Sequence, residues 1–156
     1  SGYDHSDAGM LEGKSYILTK SELTDEAAYK EVKKLVASFG CVVMETSARE
    51  HDRIIAYTSQ LAHVVSSSYI KSPTVEYEKG FTGGSFQDMT RVALLSPKMW
   101  TELFTYNRNN LLFEIRNIIK NLNDFEQALT DNDEQKLTEL LKEGSEIKSR
   151  HLENSQ

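Results

Sequence analysis

Two polar clusters in this chain carry side chains that could do chemistry. The first is Gly83-Gly84-Ser85-Phe86-Gln87-Asp88-Met89-Thr90-Arg91. Two glycines, then a serine, then an acid three residues on read as a loop turning into a capped helix. Such a start leaves backbone N–H groups unpaired at the positive end of the helix dipole, which suits a carboxylate or phosphate. Gly84, Asp88 and Arg91 are spaced by four and then three residues and so share one helical face. Arg91 on that face could add a two-pronged contact to the same anion. An anion pocket is one expectation. The same spacing also suits a surface ion pair between Asp88 and Arg91, worth about 0.2–0.5 kcal/mol, with the glycines only making a turn. The second cluster is Ser59 and His63, one helical turn apart, placed to hold a polar group of a substrate together. A half-buried histidine bonded to a neighbouring helix fits the same pattern. As a nucleophile and base they are poor, because no strained elbow presents Ser59 and no acid is evident to orient His63.

Much other chemistry is excluded. The chain has no Gly-x-Gly-x-x-Gly, no P-loop, no His-Glu-x-x-His and no paired-cysteine metal motif. His51 and His63 lie about 18 Å apart on a straight helix, too far to share a metal. The single cysteine, Cys41, forbids an internal disulfide, fits a reducing compartment and, heading an apolar run, reads as a buried structural thiol. A net charge of −6 and a pI near 5.3 argue against a nucleic-acid partner. Lys30, Lys33 and Lys34 fall among acids rather than in a basic stripe. No run approaches the ~18 apolar residues of a membrane span, and no basic-then-apolar leader opens the chain. At 156 residues there is room for one ordinary core, or a helical domain with a small appendage. The expectation is a soluble, cytoplasmic chain; starting at Ser1-Gly2 without a methionine, it reads as truncated.

The elements that must position the two clusters follow from periodicity. Ser15–Thr19 and Cys41–Glu45 are short β-favouring runs. Between them Thr24-Asp25-Glu26 opens a helix whose apolar positions are Ala28, Val32, Leu35, Val36 and Phe39, with Gly40 as its stop. Strand, helix and strand make half of an α/β unit, marginal on its own. Ser47-Ala48-Arg49-Glu50 is a capping box that starts a helix running to about Lys71, with Pro73 beyond it. One face is apolar (Ile54, Leu61, Val64, Val65); another carries Asp52, Ala56, Ser59, His63 and Ser66 or Ser67. After a loop over 72–84, a helix is predicted from Ser85 to about Leu95, and Ser96-Pro97 starts another carrying Met99, Trp100, Leu103 and Phe104. Trp100 and Tyr57 read as core or pocket-wall residues. A long helix to about Leu129 spaces Leu111, Ile115, Ile118, Leu122, Phe125 and Leu129 by 4-3-4-3-4, widened by Leu112 and Ile119. That seam predicts a homodimer, unless a last helix with Leu137, Leu140 and Leu141 folds back over it; both can hold together. The tail after His151 is expected to fray. The expected class is mainly α: a small α/β remnant of a Rossmann-like domain over 1–46, then an all-helical dimerisation and substrate-binding domain over 47–156.

His51-Asp52-Arg53-Ile54-Ile55-Ala56-Tyr57-Thr58-Ser59-Gln60-Leu61-Ala62-His63 and Gly83–Arg91 followed by Met99-Trp100 resemble the C-terminal portion of prephenate dehydrogenases. Ser1-Gly2, Leu11 and Gly13 also fit the end of that family's nucleotide domain, and the resemblance spans about residues 1–125. It implies an N-terminal Rossmann domain that binds NAD or NADP, a helical domain that dimerises, and prephenate in the cleft between them. The implied reaction is oxidative decarboxylation of prephenate to 4-hydroxyphenylpyruvate in tyrosine biosynthesis. By the resemblance, Arg91 pairs with a prephenate carboxylate and His63 with Ser59 binds the substrate's polar end. Gly84 lets the backbone approach, Asp88 holds Arg91 or the loop, and Trp100 lies near the pocket. The family's catalytic histidine comes from a His-Pro-x-x-Gly segment absent from this chain, as is the glycine-rich loop, so this chain alone is expected to be inactive. Two departures stand out against the usual Ser-His-Leu-Pro-His. Ala62 in place of proline is expected to straighten the helix, and Gln60 in place of histidine bears on the choice between prephenate and arogenate. Competing readings are an arogenate dehydrogenase and a non-catalytic module whose 107–129 seam takes a partner helix.

Overall fold

The computed structural model describes Asp7 and residues 9–154; Ser1-Gly2, quoted above for the resemblance, lies outside them. The chain divides into two compact units, Ser1–Asn107 and Arg108–Gln156.

In the first unit, β1 (Ser15–Lys20) and β2 (Val42–Ser47) run parallel, with Ser15 opposite Val42 and Lys20 opposite Ser47. α1 (Glu26–Ser38) joins them. Its cap is Asp25, whose carboxylate accepts the Ala28 N–H at 2.7 Å, while Thr24 closes the preceding turn by accepting the Ser21 N–H at 2.9 Å. Gly40 ends the connection at φ 76°, a left-handed conformation in which glycine carries no steric cost. Leu18 and Val36 are buried, but Tyr16, Ile17, Val42 and Met44 on the strands and Val32, Leu35 and Phe39 on α1 are exposed. One helix on two strands covers too little of either face, as their apolar pattern implied. Cys41 is half-buried rather than buried, with its thiol donating to the Leu11 carbonyl at 3.5 Å.

Ser47 ends β2 and caps α2 (Ala48–Ile55), its hydroxyl accepting the Glu50 N–H at 3.1 Å. The reciprocal half of the capping box is replaced: Glu50 instead takes a fork from Arg53 at 2.6 and 2.9 Å. That fork holds the Glu50 carboxyl below the usual carboxylate range. A lowered carboxyl favours the folded state above its unfolded value, and the benefit fades as pH falls through the folded one. The stability difference between wild type and Arg53→Gln in urea unfolding is therefore expected to be present at neutral pH and to narrow in acid; a constant difference would contradict this.

The helix does not straighten at Ala62. α2 passes into a π-helical turn, Ala56–Leu61, before α3 (Ala62–Tyr69) resumes the ordinary winding. Restoring the N–H at position 62 permits a regular helix but does not impose one. A 3₁₀ turn, Pro73–Tyr77, leads to α4 (Gly84–Thr90), which stops well short of Leu95. α5 (Pro97–Tyr106) begins at its proline as expected.

In the second unit, α6 (Arg108–Thr130) turns at Asn132, φ 54°, into α7 (Glu134–Glu153), capped by Asp133 accepting the Lys136 N–H at 2.8 Å. α7 remains helical to Glu153; of the tail expected to fray, residues 155 and 156 lie outside the described ones. It does fold back on α6: a groove of about 610 Å³ is lined from α6 by Asn121, Asp124 and Phe125 and from α7 by Leu140, Leu141 and Ile147 among others. The seam is only partly covered. Leu111 and Ala128 are buried and Ile115, Ile118 and Phe125 half-buried, but Leu122 and Leu129 remain 60% and 62% exposed. No helix among the described residues is long and apolar enough to cross a membrane.

Candidate functional site

The helical layer brings three of the expected residues together. His63 lies on α3 one turn after Ser59, and its ring stacks on Trp100 of α5, with centroids 3.9 Å apart and planes inclined by 30°. Trp100 is backed in turn by Phe104 at 5.3 Å. The His63 Nδ1 lies 2.8 Å from the Ser59 carbonyl oxygen. A carbonyl only accepts, so Nδ1 carries the hydrogen, and the neutral ring has Nε2 as its acceptor. The contact with Ser59 therefore runs through its backbone, which orients the imidazole and leaves the serine hydroxyl for other work. All three residues are partly exposed, as a ligand-facing group must be.

Gln60, expected to bear on substrate choice, lies in the packing between helices. It is 5% exposed, its Nε2 donates to the Leu103 carbonyl at 3.4 Å, and its Oε1 accepts from Asn107 Nδ2 at 2.9 Å. Both ends of its amide are thus taken up against Leu103 and Asn107. Asn107 was not expected. Its only sequence signal is that of an asparagine closing a helix, whereas its amide reaches both Gln60 and the Asp52 carbonyl, the latter at 2.8 Å.

The α4 residues do not form the single anion pocket that their spacing suggested. Gly84 opens the seven-residue helix and Arg91 closes it, so the two ends are about 10 Å apart along the axis. The start of α4 instead borders a hollow of about 670 Å³ lined by Tyr69, Tyr77, Phe81, Gly83, Ser85 and Phe86 among others, with none of Ser59, His63, Asp88, Arg91 or Trp100 in its wall. A Cβ added at Gly83 or Gly84 would meet nothing within 4 Å, and neither has positive φ, so packing within this chain does not demand glycine there. Asp88 and Arg91 are both exposed, and no ion pair joins them among the described residues. Asp88 therefore does not hold Arg91, and the guanidinium is free to meet an incoming anion. α4 is joined to α3 through Phe86, whose ring lies 6.1 Å from that of Tyr69.

No cluster of metal-ligating side chains occurs among the described residues. A dinucleotide pyrophosphate needs close backbone approach at a glycine-rich strand-to-helix turn. The turn from β1 to α1 reads Ser21-Glu22-Leu23-Thr24-Asp25, with two acids and no glycine, so it does not fit that group.

A parallel strand–helix–strand segment followed by helices that set a histidine ring on a tryptophan defines a mixed class of chain, a small α/β part and then a helical one. Residues 47–143 match the family described as prephenate dehydrogenase, dimerization domain, and the chain belongs to that family. It is 28% identical over 136 residues to the prephenate dehydrogenase of Bacillus subtilis (strain 168), covering 82% of this chain and 36% of that protein. It is 29% identical over 154 residues to the cyclohexadienyl dehydrogenase of Zymomonas mobilis subsp. mobilis, covering 94% of this chain and 52% of that protein. The crystal structure of prephenate dehydrogenase from Aquifex aeolicus in complex with hydroxyphenyl propionate and NAD+ shares 31% identity and a TM-score of 0.78, over 97% of this chain and 54% of that one. The chain thus spans between about a third and about half the length of these proteins.

Proposed function

We propose that this chain supplies the substrate-gripping and dimerising part of a cytoplasmic prephenate dehydrogenase, which oxidatively decarboxylates prephenate to 4-hydroxyphenylpyruvate. The observation that carries this reading is the His63–Trp100 stack, with Nδ1 tied to the Ser59 carbonyl. It gives a ring-shaped acid a flat apolar wall and one oriented polar atom. Arg91 supplies the charge for a carboxylate, the Ser59 hydroxyl and His63 Nε2 take the substrate's polar end, and Gly84 leaves its backbone open to approach. The oxidant implied is NAD or NADP, whose phosphate cradle these residues do not make. Residues 1–46 act as part of the nucleotide-side layer and 47–156 as the helical domain, paired with a second copy through α6 and α7.

In the full-length enzyme, His63→Ala is expected to cost about 1.5–3 kcal/mol of substrate binding, the range for a hydrogen bond to a charged group. Steady-state kinetics with prephenate should show this as a rise in KM of roughly tenfold or more. An unchanged KM would remove His63 from the site.

A further inference from the structure

We propose that Gln60 and Asn107 form a lock that holds the chain in its π turn, and that this turn is what sets His63 against Trp100. Three observations lead there. The helix from Ala48 to Tyr69 contains neither glycine nor proline, so nothing in its backbone chemistry asks for a departure from α winding. The departure is nonetheless confined to Ala56–Leu61, the segment that carries Gln60. Gln60, buried in the middle of that segment, is tied at both ends to groups far away in sequence, Leu103 and Asn107.

The bonding is directional in a way that fixes its own sense. At one end the Asp52 carbonyl can only accept, so Asn107 must turn its amide nitrogen toward it. At the other end the Leu103 carbonyl can only accept, so Gln60 must turn its nitrogen there. This leaves Gln60 Oε1 facing Asn107 Nδ2, the contact at 2.9 Å that closes the chain. The lock thus runs from Asp52 before the π turn, through Gln60 within it, to the last turn of α5. Thr58 adds a local support, its hydroxyl donating to the Ile54 carbonyl at 3.0 Å.

The consequence is rotational. A π turn is an α-helix carrying one extra residue, so it re-phases the flanking segments by about 100°. Unwound to regular α geometry, the segment would swing everything after Leu61 by that angle relative to α2. His63 would leave the face that meets Trp100. Trp100 and Leu103 stand one turn apart on α5, so the helix that receives Gln60 is also the one that receives His63. Gln60 and Asn107 are accordingly positioning residues: they act through the placement of His63 and touch no substrate. The idea depends on the proposed substrate role of His63 only for what the placement is for.

The test reads the stack without substrate. In NMR spectra of this chain, the His63 ring protons, assigned by their loss in His63→Gln, are expected upfield of an unstacked imidazole because of the Trp100 ring current. Asn107→Asp keeps the side-chain shape but removes both donations and sets a carboxylate against two acceptor oxygens. It is expected to abolish most of the upfield shift while far-UV circular dichroism shows the helices retained. Gln60→Leu, an apolar replacement of like volume at a buried position, is expected to do the same if Asn107→Asp fails to fold. Either folded variant keeping the full upfield shift overturns the lock. Collapse of both variants also overturns it, since a local lock cannot be the support of the whole fold. Should the shift vanish while prephenate kinetics of the full-length enzyme stay unchanged, the lock stands and the substrate role of His63 fails.

Discussion

Arg91→Ala in the full-length enzyme is expected to weaken prephenate binding by about 2–5 kcal/mol, a rise in KM from roughly thirty-fold to a few thousand-fold. The expectation follows from what surrounds the guanidinium. It ends α4, is exposed, and is not engaged by Asp88 three residues before it. A free cation close to a helical layer loses little when it takes a carboxylate, because no internal pair has to break first. The low end of the range holds if water still reaches the pair, the high end if the bound ring excludes it. Arg91→Lys should recover only part of the loss, since an ammonium cannot make the two-pronged contact. Equal KM values for wild type and Arg91→Ala, at equal kcat, would take the arginine out of the site.

Leu122→Lys is expected to convert a dimer into monomers. Leu122 belongs to the 4-3-4-3-4 series on α6 and is left 60% exposed after α7 has folded back. Leu129, Leu141 and Ile147 are exposed on the same two-helix unit. Burying one leucine side chain contributes about 1.5–3 kcal/mol, and a symmetric interface uses each position twice. Losing both copies therefore removes about 3–6 kcal/mol, before the penalty for burying an unpaired ammonium. Sedimentation equilibrium should show the dissociation constant rising by at least a hundredfold, roughly the lower bound of that energy. A variant that stays dimeric at the same concentration would move the interface elsewhere.

Legibility in the sequence followed the range of the forces involved. The two strands, α1, the start of α2 and the start of α5 were all readable because local chemistry sets them: β-favouring runs, the serine at position 47, and proline at a first helical turn. The seam on α6 was readable because periodicity is a local property too. The π turn was not, since residues 56–61 carry no breaker and the groups that hold it lie more than forty positions away. The early end of α4 was also hidden. Nothing in Arg91–Leu95 forbids a helix, and only the need to leave α geometry before Pro97 hints at it. That shortening puts Arg91 at the end of α4 rather than within it, while the glycine start borders a separate hollow. His63 and Trp100 were each named from sequence, but their stacking required the fold. The bond between Gln60 and Asn107 is hidden as well, because the neighbours of Gln60 in sequence say nothing about a residue 47 positions away.

A grip of these residues on the acidic ring of prephenate is a proposal with a kinetic signature. Its most direct test is the rate of reduced nicotinamide formation by the full-length protein, supplied in turn with prephenate and with arogenate, each with NAD+ and with NADP+. Turnover of prephenate to 4-hydroxyphenylpyruvate with release of carbon dioxide is expected, with loss of prephenate affinity on changing Arg91. Reduction with arogenate alone, or with neither compound, would contradict it.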